Sequence, residues 1–167
     1  MLRPATETDK ESVRVWRNHP EVRAVSLTQH EISPDEHESW WAATMDDPTR
    51  RVLIYERGGT PAGVVSLFDY DERAGSAWWG YYLDNDTLTA RGELLPAWIQ
   101  IQREAIKYFD AMGITQLDAE VLESNEGVRS FNTRMGFVEV GRDERDLGSQ
   151  TVPVLHVRRT TTTKESQ

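Results

Sequence analysis

Apolar positions change their spacing several times along the chain, and each change marks an element. "LRPA" reads as a short strand. Over "TETDKESVRVWRNH", Val13 and Trp16 share a helical face, Thr8 or Asp9 can cap it, and Pro20 interrupts the run. "ISPDEHESWWAATM" is a second helix, with Ser33 as cap, Pro34 in the first position and Glu36 completing a capping box. The period then drops to two. "RRVLIYE", "PAGVVSLFDY" and "SAWWGYYL" read as strands joined by Gly58-Gly59 and by "DERAG", an antiparallel meander by its short connections. Gly80, inside the third strand, signals a bulge or a close backbone approach.

Helical spacing returns from Leu94 to Met112, where Leu94, Trp98, Ile101, Ala105, Phe109 and Met112 form one stripe and Gly113 ends it. "ITQLDAEVL" alternates Leu117, Ala119 and Val121 with Asp118 and Glu120, which makes a strand. "NEGVRSFNTRM" is a short helix capped by Asn125, with Val128, Phe131 and Met135 as its apolar stripe. "FVEVGR" and "VPVLHVR" close the fold as strands joined by the charged loop "DERDLGS". The order β-α-α-β-β-β-α-β-α-β-β predicts one mixed α/β domain over residues 1–159, with a disordered polar tail at 160–167.

With 167 residues, 38% of them hydrophobic, the chain has enough apolar surface for one sizeable core. It has no cysteine, which excludes disulfides, thiolate metal sites and a cysteine nucleophile. The four histidines lack metal-ligand spacing, so no metal is expected. The N-terminus has no apolar signal core and no run approaches a membrane span, so a cytoplasmic protein without a membrane role is expected. A net charge of −9 argues against nucleic acid as partner and suits an amine substrate.

The order of elements, "AEVLESNEGVRSFNTRMGF" and "FVEVGR" together resemble the GCN5-related N-acetyltransferases over roughly residues 2–158. "VWRNHPEVR" and "HESWW" narrow the resemblance to the branch that acetylates nucleotide-linked amino sugars, close to the ribosomal-protein and spermidine acetyltransferases. The resemblance implies a single mixed, mostly antiparallel sheet flanked by helices, with splayed central strands. It also implies acetyl-CoA as co-substrate, a primary amine of a small molecule as acceptor, direct attack on the thioester, and a monomer or homodimer. The pyrophosphate would lie on backbone amides at the start of the long helix.

That start, "TARGELLPAW", departs from the family pattern. The two glycine positions fall on Glu93 and Leu95, Pro96 lacks an N–H, and Arg91 is a candidate substitute charge. The cofactor-binding set implied is Tyr82, Leu83, Arg91, Gly92, Glu93, Leu94, Leu95, Asn125 and Arg129. Asn132 stands where the family usually carries tyrosine, and an amide cannot donate a proton as a phenol does. Glu120 is the expected general base, its pKa raised by partial burial. Asp118 on the same face, His30 in the loop between the first two helices and Trp79 are the expected substrate contacts. Two readings stay open. One is an N-acyltransferase. The other is a protein with a degenerate cofactor site that binds a partner or takes its acyl group from a carrier protein.

Overall fold

A computed structural model describes residues 1–162. Seven strands form one sheet: β1 (Leu2–Pro4), β2 (Arg51–Arg57), β3 (Thr60–Asp71), β4 (Ser76–Leu83), β5 (Gln116–Leu122), β6 (Phe137–Asp146) and β7 (Thr151–Thr160), in the order β1-β2-β3-β4-β5-β7-β6. Every pair is antiparallel except β4–β5. The helices are α1 (Lys10–Arg17), α2 (Pro20–Ala24), α3 (Pro34–Met45), α4 (Asn85–Ala90), α5 (Leu94–Ala111) and α6 (Glu126–Arg134). Among the described residues no helix is long and apolar enough to cross a membrane.

Both faces of the meander are covered, which is why β2 reads as an apolar run. Leu53 and Tyr55 pack with Ile101, Ala105 and Phe109 of α5, while Val52 and Ile54 pack with Val13 and Trp16 of α1 and Trp41 of α3. The alternation set by the strand pleat sends adjacent residues to opposite cores.

Two helices are additional to the sequence reading. Pro20 does not merely end α1; it opens α2 at the first position, with His19 Nδ1 accepting from the Glu21 N–H at 3.2 Å. Between β4 and α5, Asp84 caps the six-residue α4 by accepting from the Thr87 N–H. Thr160, assigned to the tail from sequence, is the last residue of β7 and pairs with Gln116. Residues 163–167 of the expected tail lie outside the described residues. The Ser33 cap accepts from the Glu36 N–H, as expected, but the Glu36 carboxylate turns instead to His30 Nε2 at 2.8 Å.

Gly80 is neither bulged nor crowded: a Cβ there would meet nothing within 4 Å, and the β3–β4 register shift lies between Phe68 and Asp71. The close approach is at Gly63, where a Cβ would sit 2.8 Å from both Leu83 Cδ2 and the Tyr82 carbonyl oxygen. Gly63→Ala is expected to destabilise the protein by about 1–3 kcal/mol through overpacking, while Gly80→Ala stays within about 1 kcal/mol of wild type. Urea unfolding of the two variants measures this contrast directly.

Candidate active site

The parallel ladder between β4 and β5 consists of three pairs, Ser76–Gln116, Ala77–Leu117 and Trp78–Asp118. Beyond it the strands part. Each keeps its outer partner: β4 stays paired with β3 out to Leu83–Gly63, and β5 with β7 out to Leu122–Val154. The facing edges of Trp79–Leu83 and Ala119–Leu122 therefore have no ladder partner among the described residues. A cavity of about 670 Å³ fills the wedge. An extended ligand can pair with such strand edges through its own amides.

Other walls come from Glu21 and Val22 of α2 and Val25 just after it, Leu94, Leu95 and Trp98 of α5, and Asn125, Val128 and Asn132 at α6. Glu93 is the N-cap of α5, yet its side chain makes no capping bond. The N–H groups of Leu94 and Leu95, in the first helical turn, have no partner four residues back, so this 18-residue helix offers amides and the positive end of its dipole at the cavity.

Of the residues singled out from sequence, Tyr82, Leu83, Leu94, Leu95, Asn125, Glu120, Asn132 and Trp79 line this cavity. Asn125 also caps α6, accepting from the Val128 N–H. Asn132 is 5% exposed, and its amide makes no hydrogen bond among the described residues, which leaves it available to a ligand. Burial pushes the Tyr81 and Tyr82 hydroxyls well above the ordinary phenol range, so both stay neutral. Trp79 contributes to the cavity wall from within the core, packed against Tyr81, Phe109 and Phe137. Its neighbour Trp78 faces the other way and stacks on His156 at 4.6 Å.

The other site residues singled out from sequence lie outside this lining. Arg91 and Glu93 line a separate hollow of about 500 Å³, where Arg57 Nε donates to the Glu93 carboxylate at 3.0 Å. Glu93 thus turns its charge away from the wedge, and Arg91 does not project into it. Gly92 shapes the turn, with φ at 68°, but lines neither space. Arg129 is held by Glu139 and the Glu123 carbonyl oxygen, each at 3.0 Å, and is not a cavity residue. His30 is an exposed loop residue paired with Glu36, also outside the lining.

Asp118 is buried, in the last rung of the ladder, and outside the lining. Arg158 Nε donates to it at 2.7 Å, Gln116 Nε2 at 3.1 Å, and His156 Nε2 lies 3.3 Å away. Burial alone would raise its carboxyl; the hydrogen bonds from Arg158 and Gln116 more than offset that and hold it below the usual range. Glu120 is exposed rather than partly buried, and Arg145 Nη2 donates to it at 2.5 Å. Sequence reasoning missed Glu21 and Asn85, which also line the cavity; the proline before Glu21 was the available signal for the new helix. Among the described residues no group of three or more histidine, aspartate or glutamate side chains is placed to hold a metal ion.

A model of the acetyltransferase (GNAT) domain matches residues 1–138. A ribosomal-protein-alanine N-acetyltransferase from Brucella melitensis superposes with a TM-score of 0.75 at 18% identity, over 96% of this chain and 99% of that one. A spermidine N-acetyltransferase from Vibrio cholerae, in complex with CoA and spermine, gives a TM-score of 0.80 at 16% identity, over 96% and 94% of the two chains. Comparison with curated proteins gives no match.

A lowered carboxyl pKa in the folded state means that Asp118 contributes stability above the ordinary carboxylate pKa, and that this contribution is lost as pH falls through the lowered value. Asp118→Asn is expected to cost about 1–3 kcal/mol at neutral pH, with the gap to wild type narrowing below about pH 4. Denaturant unfolding at a series of pH values checks both the size and the sign.

Proposed function

The chain belongs to the GNAT acetyltransferase family, and from that premise we propose that it transfers an acetyl group from acetyl-CoA to a primary amine of a small molecule in the β4–β5 wedge. The observation that carries this reading is the wedge itself: two strand edges left open after the Trp78–Asp118 rung, meeting the uncapped start of a long helix. Acetyl-CoA supplies an activated thioester. The amide-bearing arm of such a molecule suits the edges at Trp79–Leu83 and Ala119–Leu122, and phosphate suits the N–H groups of Leu94 and Leu95. Pro96 removes one donor from that turn, so its grip is weaker than that of a glycine-rich turn.

In the reaction the amine nitrogen forms a bond to the acyl carbon as the carbon–sulfur bond breaks; its second N–H proton passes to water, and a first proton must leave the acceptor's ammonium before the attack. Glu120, on the cavity wall, receives the acceptor's ammonium and takes that proton directly or through water. The Asn132 amide donates a hydrogen bond towards the sulfur without yielding a proton; a thiol of pKa about 8.5 leaves adequately as thiolate. Both charged residues in the lining, Glu21 and Glu120, are carboxylates, and no basic residue lines it among those described. That favours a cationic amine over a nucleotide-linked amino sugar, whose diphosphate would need cations nearby.

Calorimetric titration with acetyl-CoA and with acetyl-pantetheine tests the cradle. Acetyl-CoA is expected to bind about tenfold or more tightly than the truncated analogue. Equal, weak binding of the two would instead mean that the acyl group arrives on a carrier-protein arm. Glu120→Gln is expected to lower kcat/KM for the amine by at least about tenfold with acetyl-CoA affinity unchanged; unchanged turnover at every pH would remove Glu120 from the mechanism.

A further inference from the structure

We infer that Glu21 selects the acceptor, and that the acceptor carries a second cationic group on an aliphatic arm; this rests on the amine-acetylation reading above. Two carboxylates line the cavity, and they differ in their state of pairing. Glu120 already has a cation, Arg145, at 2.5 Å. Glu21 is exposed, and its side chain accepts one hydrogen bond, from the neutral amide of Asn85 at 3.2 Å; among the described residues no cation lies within 4 Å of it. Its full charge is therefore presented to the cavity.

The position of that charge is fixed from two directions. The Glu21 N–H is held by His19 Nδ1, and His19 Nε2 reaches Asp86 of α4 at 3.1 Å. Asn85, also on α4, holds the carboxylate itself. The wall beside Glu21 is formed by Val22 and Val25. A carboxylate at the end of an apolar wall suits a cation on a methylene chain, because the chain covers the valines while the charge meets Glu21. The reacting amine is accounted for by Glu120 on β5, so Glu21 on α2 is left for a different cation of the same molecule.

The test compares diaminobutane with butylamine, which have equal carbon count and differ by one charge. In calorimetric binding, the wild-type protein is expected to hold the diamine about tenfold more tightly. Glu21→Gln is expected to erase that difference, Glu21→Lys to reverse it, and Asn85→Ala to reduce it, with thermal unfolding confirming that each variant is folded. In acetyl-transfer assays Glu21→Gln should raise KM for the diamine severalfold more than KM for the monoamine. Equal binding of the two amines by wild type, or a preference that survives Glu21→Gln, overturns the inference. A Glu21-dependent diamine preference without acetyl transfer would sink the catalytic reading and leave Glu21 a diamine-binding residue only. Transfer to monoamines without that preference would sink only this one.

Discussion

The feature on which the chemistry of this fold depends is a parallel ladder that stops after three rungs. β4 and β5 are each secured on the outer edge by an antiparallel partner, and α5 packs on one face of both. Neither strand needs the other to stay in place, so the two can separate beyond Trp78 and Asp118 without melting. Open backbone edges would be costly in a sealed core. Here they border a cavity, where water or an extended ligand can satisfy them. Parallel pairing also demands a long crossover. The crossover is α4 and α5, and it brings the start of α5 to the mouth of the same gap. The open edges and the helix N-terminus are thus two consequences of one connection.

Much of this fold was legible because periodicity reports which face a residue occupies. The stripe Ile101, Ala105, Phe109 and the paired runs of β2 and β3 lie buried as their spacing demands. Periodicity does not report which strand edge is paired, so the end of the ladder at Trp78 entered only through the family resemblance. The same blindness explains Gly80 and Gly63. A glycine in a strand signals that something approaches or that space is left open, and sequence does not tell these apart. Gly63 meets Leu83 and Tyr82, whereas Gly80 faces open space at the cavity.

Side-chain roles were less legible than elements, because charged side chains choose partners distant in sequence. Arg91, Glu93 and Arg129 were placed correctly on their turns and helices, yet their charges turn away from the wedge: Glu93 towards Arg57, 36 positions away, and Arg129 towards Glu139. Asp118 and Glu120 alternate on one strand as read, but Arg158 and Arg145 give them different fates, one buried and locked, the other exposed on the cavity wall. Glu21 escaped notice because Pro20 was read as the end of a helix rather than the beginning of one.

On the proposed reading, the charge layout reconciles a net charge of −9 with a polyanionic co-substrate. The acidic excess reaches the cavity at Glu21 and Glu120, on the side where an amine is wanted. At α5, where phosphate is wanted, attraction comes from backbone amides and a helix dipole, which carry no net charge and do not compete for the cation. The one carboxylate at that end, Glu93, is drawn aside by Arg57. A basic side chain in the wedge would have strengthened phosphate binding, but it would also have repelled the ammonium or paired with Glu21. On the proposed reading, neutral dipoles serve the anion and carboxylates serve the cation, in keeping with a lining that has no basic residue among those described.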